Sequence, residues 1–597
     1  MNKSRRTLRG YLLLATLGFR SSPSYMLGSI ALQVVSAIAF AAYPYGYRLF
    51  IDGIGKRDST ELLVGALVAG VLYVVSTIIG PVAFNSGITI QQKTNMYLVG
   101  RIAELINAMS GIEHFERPDQ LQEIDLINQN RNVLASACQQ ILNLLCQSIR
   151  VGLAMALLVS VNPIFLLVPV LGLVPFFGDS YSSRFRQRID KGNVEDIRLA
   201  NQLFELAATA APAKELRIFG LGDELRERHV ALAKRVSDQV ARASKVAFWM
   251  GTLGWGVFAA GFVGAIALVV VQAAHGNATP GQVLMVVVLI NNLQSRVGSL
   301  VGNAGQLLQA RKTAERFLWL EDHVGETKAN DVDALVPSTI EQGITFDHVS
   351  FSYPGTEALV LQDVSLFIPR GTSVAIVGEN GAGKTTLVKL LARMYEPSTG
   401  LIQVDRQDIG TFDVESWRSK MTAIFQDFGR YELPAVETVG VGSLDHIDDR
   451  EAVLRSLEKT GGLDVIDSLD DGLETLLGRS FADGRELSGG QWQKLALGRG
   501  RMRDDALLLI LDEPTSSLDA TSEHAVFEQY VAAARDGANS VGAITILISH
   551  RFSTARMADL IVVLDGGRIA EVGSHSELLG LNGIYAELFR MQQRSYL

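Results

Sequence analysis

The chain has 597 residues, of which 48% are hydrophobic and 20% are charged, and its mean hydropathy is +0.21. This composition excludes a disordered protein and is too apolar for an average soluble one, so part of the chain is expected to lie in lipid. The formal net charge of -9 argues against a general nucleic-acid binder held by a basic surface.

The first 23 residues are predicted to form an interfacial helix. Arg5 and Arg6, followed by the apolar run 11–19, resemble a twin-arginine export signal, but no small-x-small cleavage site follows directly. Several apolar segments follow downstream, so an interfacial helix with snorkelling arginines is the preferred interpretation.

Six segments are apolar enough to cross a membrane, given that a spanning helix needs about 20 predominantly apolar residues. They cover approximately 24–48, 62–84, 134–160, 163–180, 247–272 and 280–303. Two longer polar stretches, 85–133 and 181–246, carry most of the Lys and Arg of this half and are predicted to be cytoplasmic loops. The connections at 162–163 and 273–280 fit the outer side, which places both termini inside.

Polar residues interrupt the third and sixth predicted spans and mark a candidate solute route. They are Gln139, Gln140, Asn143, Gln147 and Arg150 in the third, and Asn291, Asn292, Gln294 and Arg296 in the sixth. Ionisable groups in a membrane usually face a cavity. Neither span contains an acidic residue, which suits a solute with an anionic group, but hydrogen bonding between helices explains these residues equally well.

The two cysteines, Cys138 and Cys146, both fall in the third span. If they share a helix, their eight-residue spacing separates them by about 12 Å, which is too far for a disulfide. Two cysteines are also too few for a metal site of the paired-motif kind.

Each polar stretch contains a candidate docking motif near its middle. One runs from Glu113 to Asp119 and the other from Ala213 to Gly220. Phe115 and Phe219 are aromatic residues in polar surroundings, which favours docking against another surface over a solvated turn.

After a polar linker at 321–343, the composition changes to an α/β pattern. Short apolar runs at 373–377, 506–511 and 544–549 alternate with helical patterns. The runs at 507–511 and 544–548 are continuous, as in strands buried on both faces, and they are too short to cross a membrane.

The segment 378–385, Gly-Glu-Asn-Gly-Ala-Gly-Lys-Thr, matches the phosphate-binding loop, with a strand-like run before it and a helical run after it. Glycines let backbone N–H groups approach the phosphates, Lys384 is predicted to reach the β and γ phosphates, and Thr385 to supply a hydroxyl to Mg²⁺. The candidate phosphate-binding residues are Gly378, Asn380, Gly381, Gly383, Lys384, Thr385 and Thr386. A glycine-rich turn without ligand is the alternative, and the further motifs argue against it.

The apolar run 507–511 ends in two acids, at the end of the strand where open α/β sheets bind ligands. Phosphoryl transfer needs a metal ion and a group that directs water. Asp512 is therefore predicted to hold Mg²⁺ and Glu513 to orient or deprotonate the attacking water.

Residues 487–491, Leu-Ser-Gly-Gly-Gln, precede a helical run and lie between the phosphate loop and the acidic strand. With these motifs the sequence resembles the ABC transporters, whose signature reads the same. The resemblance spans the chain, because six helices followed by one nucleotide-binding domain is the half-transporter arrangement of the exporter fold. It implies a multi-domain fold, an α-helical transmembrane bundle with six spans followed by an α/β P-loop NTPase domain of the ABC type. The domains are then 1–23, 24–320, the linker 321–343 and a nucleotide-binding domain at 344–597.

The resemblance also implies roles for single residues. Tyr353 would stack on the adenine, Gln426 would be the Q-loop glutamine near the catalytic water and Mg²⁺, Asp519 would be the D-loop aspartate and His550 the switch histidine. Ser488, Gly489, Gly490 and Gln491 would bind the γ-phosphate of ATP held by a partner subunit, which implies a dimer. The motifs at 113–119 and 213–220 resemble coupling helices.

Three features depart from the family pattern. Trp492 stands where a basic or polar residue is usual, and 479–485 lacks the glutamate-bearing pattern of many exporters. Gly498 and Gly500 stand where alanine is commoner, at about 1 kcal/mol each in helix propensity.

Together these features predict a multi-pass protein of the cell membrane with a cytoplasmic nucleotide-binding domain, using ATP and Mg²⁺. It is expected to export an amphipathic, peptide-like or lipid-like solute by alternating access, because ATP shifts the population toward the closed nucleotide-domain dimer. A homodimer is favoured because no ATP-site motif is degenerate, although heterodimers can contain an intact member. Membrane lipid is an expected partner and nucleic acid is not. The alternatives are an importer of the exporter fold and an ATP-gated channel or regulator.

Overall fold

The computed structural model describes residues 3–174, 192–209, 212–328, 334–503, 505–514, 541–549 and 551–595. The chain divides into two compact units. The first unit comprises Met1–Glu104 and Asp125–Leu320, and the second comprises Leu105–Ile124 and Glu321–Leu597.

The described residues of the first unit, and those of the segment Leu105–Ile124 of the second, are mostly helical. In chain order the helices up to the linker are α1 Lys3–Ser21, α2 Pro23–Lys56, α3 Ser59–Asn107, α4 Glu113–Glu116, α5 Pro118–Gln129, α6 Arg131–Val159, α7 Leu167–Leu171, α8 Val194–Ala208, α9 Ala213–Ile218, α10 Gly222–Ala274 and α11 Pro280–Lys328. A 3-10 turn, Pro163–Leu166, precedes α7. Both cysteines lie on α6, and neither forms a disulfide.

Five of the described helices are long and apolar enough to cross a membrane, namely α2, α3, α6, α10 and α11. The 3-10 turn and α7 occupy the start of the fourth predicted span, and the rest of that span, from residue 175, lies outside the described residues. A helical membrane-type domain thus precedes the α/β domain, as the sequence predicted.

Much of both polar stretches, predicted to be cytoplasmic loops, is helical. Helix α3 continues to Asn107, and α10 already begins at Gly222, so charged segments extend the apolar helices. Polar residues indicate that a segment is exposed to water, but Lys, Arg, Glu and Gln are also good helix formers. A charged sequence next to an apolar helix can therefore prolong it.

A buried carboxylate joins two of the long helices. Asp52, near the end of α2, accepts hydrogen bonds from Thr279 Oγ1 and from the backbone nitrogen of Gly281, each at 2.9 Å. Both donors lie at the beginning of α11, where unpaired N–H groups and the helix dipole favour a negative charge. Asp52 thus fixes the start of the last long helix to α2.

The second unit contains two sheets. In chain order the strands are β1 Gly343–Phe351, β2 Leu361–Pro369, β3 Ser373–Gly378, β4 Thr399–Val404, β5 Gln407–Asp408, β6 Met421–Ile424, β7 Leu508–Asp512, β8 Ile544–Ile548, β9 Leu560–Asp565 and β10 Arg568–Gly573. The antiparallel sheet has the order β2-β1-β4-β5, and the larger sheet has the order β10-β9-β3-β8-β7-β6. In the larger sheet only β10 pairs antiparallel. Strands β7 and β8 are buried throughout, as their continuous apolar runs predicted.

The described helices of this unit pack on the sheets or form a separate cluster. They are α12 Lys384–Leu391, α13 Val414–Ser419, α14 Ala435–Gly440, α15 Arg450–Glu458, α16 Leu463–Asp467, α17 Gly489–Arg499, α18 Phe552–Ala555, α19 His575–Leu581 and α20 Ile584–Ser595. Trp492 is buried in an apolar core formed largely by α14 to α17.

Packing explains the two unusual glycines on and after α17. A Cβ on Gly498 would lie 2.7 Å from Leu457 Cδ2, and one on Gly500 would lie 2.7 Å from Ile424 Cδ1. The close approach of these neighbours takes precedence over helix propensity.

Candidate functional site

The phosphate loop joins β3 to α12 and depends on its glycines. Gly378 has φ +153°, and a Cβ there would lie 2.2 Å from the carbonyl oxygen of Leu564 on β9. Gly381 and Gly383 have φ of +84° and +99°, and Gly383 is the N-cap residue of α12. The sharp turn leaves the first N–H groups of α12 at the end of a buried strand, which is an arrangement suited to anions.

Lys384 is buried and folds back on this loop. Its Nζ donates hydrogen bonds to the carbonyl oxygens of Gly378 at 2.9 Å and Glu379 at 2.8 Å. Burial lowers the pKa of Lys384, and the charges of Glu513 and Asp512 act in the opposite direction. A cation is thus held at the loop close to two acids.

Asp512 ends β7 and is nearly inaccessible, with 4% of its surface exposed. Burial raises its pKa to about 6, the charges of Glu513 and Asp427 add to this, and a hydrogen bond with Thr385 and the charge of Lys384 oppose it. A divalent cation would favour the ionised carboxylate, so Asp512 and the Thr385 hydroxyl fit a magnesium site.

Glu513 has a strained backbone. Its φ is +47°, in the left-handed region, and its N–H donates to the carbonyl oxygen of Ile548 at 3.0 Å. Residues other than glycine rarely adopt this conformation, and such strain clusters at functional positions. The turn starts directly after the fully paired strand β7.

Tyr353 belongs to an aromatic cluster beside α12. Its ring centroid is 5.1 Å from that of Phe351 and 5.4 Å from that of Tyr395, and its hydroxyl is 3.0 Å from Thr386 Oγ1. Lys389 Nζ lies 5.5 Å from the centre of the Tyr353 ring. The cluster can offer a ring to a base, with a cation beside it.

The segment Leu105–Ile124 is attached to this cluster by polar contacts that sequence reasoning missed. Glu116 accepts a hydrogen bond from Lys389 Nζ at 2.8 Å and a short one from the Tyr395 hydroxyl. The Ile112 N–H donates to Met394 O at 3.3 Å.

These polar contacts of the segment are made by Glu116 and Ile112, not by Phe115, the aromatic residue of the motif from which docking was predicted. Phe115 is 56% exposed, whereas the adjacent His114 is buried. In the other motif, on α9, Phe219 is 67% exposed within the chain. Glu116 lies inside the predicted motif, but its partners lie far along the chain and no local pattern marks them.

The signature begins α17. The Ser488 N–H donates to Gln491 Oε1 at 2.9 Å, and the Gln491 N–H donates to Ser488 Oγ at 3.3 Å, forming a capping box. Ser488 and Gly489 are exposed, and Gly490 is half-buried. None of the hydrogen bonds described for Ser488 or Gln491 reaches the phosphate loop.

Gln493, which the sequence analysis did not single out, connects this helix to the acidic strand. It is buried, and its Nε2 donates a short hydrogen bond to the carbonyl oxygen of Pro514, the residue after Glu513. Gln426 is exposed two residues beyond β6, which neighbours β7 in the sheet. The predicted roles of Asp519 and His550 fall on residues outside the described ones.

A second candidate site is a cavity of about 670 Å³ in the first unit, lined by residues of α2, α3, α6 and α11. Six of the predicted polar residues line it: Gln139, Gln140, Asn143, Gln147, Arg150 and Arg296. Asn292 instead donates to the Tyr43 hydroxyl at 2.6 Å, Asn291 is exposed, and the side chain of Gln294 is outside the description. The lining residues from α2 and α3 were not predicted, because none of them is Arg, Lys, Asp or Glu.

Comparison with known proteins gives a family match within the second unit and similar proteins along most of the chain. The family described as ABC transporter matches residues 361–516. The subtilin transport ATP-binding protein SpaT of Bacillus subtilis is 26% identical over 572 residues, covering 88% of this chain and 90% of its own length. The ATP-dependent lipid A-core flippase of Burkholderia pseudomallei is 29% identical over 581 residues, covering 95% and 92%. The structure of a bacterial Atm1-family ABC exporter with ATP bound has a TM-score of 0.73 at 23% identity and covers 97% of this chain and 100% of that one, so the fold is shared.

Proposed function

The chain is an ABC transporter with the exporter fold, and from this premise we propose how its residues couple ATP hydrolysis to the export of an amphipathic solute. The observation that carries the proposal is the placement of the phosphate loop and the acid pair at the ends of β3 and β7, two parallel strands on either side of β8. Both sets of residues thus face the same edge of one sheet.

In this proposal the glycine loop and Lys384 bind the phosphates, and Tyr353 stacks on the adenine. Thr385 and Asp512 hold Mg²⁺ with the help of Gln426, and the ion neutralises phosphate charge when bound. Glu513 directs the attacking water, while Gln493 holds the backbone that follows it. His550 is proposed to act on the γ-phosphate as the switch histidine, and Asp519 as the D-loop aspartate; both residues lie outside the described ones.

The signature serves a second subunit. Ser488 and Gly489 are exposed at the start of α17, so the first turn of this helix is accessible to the nucleotide of a partner chain. Two copies related by a twofold axis would then form two equivalent ATP sites. The protein is proposed to work as a homodimer in the cell membrane, with 24–320 as the transmembrane domain and 344–597 as the cytoplasmic nucleotide-binding domain.

Alternating access follows from the difference in ATP affinity between two states. ATP favours the closed nucleotide-domain dimer, and hydrolysis resets it. The relatives named for transport of subtilin and for flipping of lipid A-core support export of an amphipathic solute. An importer or an ATP-gated channel remains the alternative, and vesicle transport distinguishes the three.

The test uses the full chain in proteoliposomes. Glu513→Gln should retain ATP binding but lose at least about a hundredfold in ATPase, because a positioned base contributes roughly that much. Lys384→Ala should instead weaken ATP binding itself. Near-normal ATPase from Glu513→Gln would contradict the assignment, and Glu587→Gln, an exposed carboxylate on α20, is the matched control.

A further inference from the structure

The cavity of the first unit contains two cations and no anion. Arg150 and Arg296 both line it, and none of its described lining residues is acidic. Among the described residues, no salt bridge joins either arginine to a carboxylate, and the Nε of each is buried without a hydrogen-bond partner. Two uncompensated positive charges away from bulk water are costly, so a bound anion would be favourable there.

One aromatic ring positions both cations. The guanidinium carbon of Arg296 lies 4.4 Å and that of Arg150 5.5 Å from the ring centre of Phe40 on α2. A guanidinium that packs on a ring keeps its N–H groups available at its edge, which suits a carboxylate or phosphate. The one hydrogen bond described for Arg150 is from Nη2 to Ser36 Oγ at 3.1 Å.

The same wall has an excess of hydrogen-bond acceptors. Four lining amides have a buried carbonyl oxygen without a described partner: Gln33, Gln139, Gln140 and Gln147. In Gln33 and Gln140 the Nε2 donates to Ser29 Oγ at 3.2 Å and to Ser136 Oγ at 2.9 Å, respectively. These oxygens require N–H or O–H donors.

A peptide with a free carboxylate matches both features of the cavity. Its amide N–H groups can donate to the amide oxygens, and its carboxylate can accept from the two arginines. A phosphate headgroup matches the arginines but offers the amide oxygens few donors. We therefore infer that the cavity binds peptide-like amphipathic solutes by their carboxylate, between Arg150 and Arg296. This inference rests on the proposed transport function and specifies its substrate class.

Equilibrium binding to the full chain in nanodiscs of neutral lipid tests it, with empty nanodiscs as background. The radiolabelled probes are N-dodecanoyl-glycylglycine, its C-terminal amide and dodecyl phosphate. We expect the carboxylate to bind about tenfold more tightly than the amide, as charged hydrogen bonds predict. This ratio should fall to about one in Arg150→Gln and Arg296→Gln and be lowered less in Arg150→Lys, which keeps the charge but not the planar guanidinium. Arg131→Gln, on the same helix but outside the cavity, is the matched control and should retain it.

The amide wall is tested separately. Replacing Gln140 with leucine should weaken binding of the acyl dipeptide several-fold and leave dodecyl phosphate unchanged, because only the peptide offers it N–H donors. Equal affinity for carboxylate and amide, or a preference that survives both arginine substitutions, overturns the inference. Phosphate binding as tight as the dipeptide and insensitive to Gln140→Leu would assign the cavity to a phosphate headgroup instead. Absence of binding by all probes also overturns it, while ATPase lost in Glu513→Gln would leave the proposed function standing.

Discussion

The nucleotide site and the membrane cavity differ in how their polar groups are satisfied within the chain. In the nucleotide site Lys384 donates to two carbonyl oxygens, and Ser488 and Gln491 cap each other. In the cavity the Nε of both arginines and several amide oxygens have no described partner. The first site is built by short stretches of sequence that fold on themselves, whereas the second is assembled from distant helices whose polar groups are only partly paired among the described residues.

The largest expected effect comes from replacing a glycine with alanine, once in the nucleotide site and once in the cavity. Gly378→Ala places a Cβ 2.2 Å from Leu564 O at a φ of +153°, and we expect about 3 kcal/mol of strain, or about a hundredfold loss in ATP affinity. Gly80 lines the cavity on α3 and has open space around its Cβ position. Gly80→Ala should leave ATP affinity unchanged, as measured with a fluorescent ATP analogue. Equal losses in both variants would remove the distinction.

A pH series sharpens the contrast, since the nucleotide site contains the buried acid Asp512, whereas none of the described residues that line the cavity is acidic. The folded-state pKa of Asp512, about 6, lies above the ordinary value of 3.8. The carboxyl group of Asp512 therefore binds its proton more tightly in the folded protein than in the unfolded chain. This tighter binding stabilises the folded state at low pH, and the stabilisation is lost as pH rises from about 4 to about 6. Mg²⁺ must displace the proton, so Mg²⁺ affinity should fall about tenfold per pH unit below about 6.

Titration of Mg²⁺ against binding of the ATP analogue between about pH 5 and 8 measures this. Asp512→Asn should abolish the pH dependence along with much of the Mg²⁺ affinity. Binding of the acyl dipeptide to the cavity should stay constant over the same range. A Mg²⁺ affinity that is flat across this range in the unsubstituted chain would contradict the burial argument for Asp512.

The smallest expected effect concerns Glu116, which links the segment Leu105–Ile124 to the aromatic cluster. Its carboxylate is 41% exposed, so solvent screens its pair with Lys389 and the effect of removing its charge should be modest. Glu116→Gln should keep ATPase within about twofold and reduce solute transported per ATP by roughly fivefold, because a charged hydrogen bond contributes about 1.5 to 3 kcal/mol before screening. Glu113→Gln, which removes a neighbouring carboxylate paired with Arg117, is the control. Unchanged coupling in Glu116→Gln would show that the contact is only structural.

The parts that sequence predicted are those whose cause is local. The phosphate loop, the buried runs of β7 and β8 and the acid pair after β7 each depend on residues next to one another. Glu116 and Lys389 are 273 residues apart, and Asp52 and Thr279 are 227 apart, so no window of sequence connects either pair. The polar stretches were assigned to loops because charge predicts contact with water but leaves the backbone undecided. The lining residues from α2 and α3 were missed for a related reason. Uncharged Gln, Ser and Tyr in a span indicate a cavity only once the positions of the other helices are known.

The two hydrogen bonds of Lys384 have a consequence for the thermodynamics of ATP binding. Nζ already donates to Gly378 O and Glu379 O, so in the proposed ATP site phosphate oxygens would have to replace these carbonyl oxygens. Lys384 would then donate nearly the same number of hydrogen bonds before and after binding. The free energy gained at the lysine would be the difference between a hydrogen bond to a charged oxygen and one to a neutral oxygen. By the same reasoning, the two carbonyl oxygens would accept from Lys384 again when the phosphates leave, which would favour release of the nucleotide and hold the loop between turnovers.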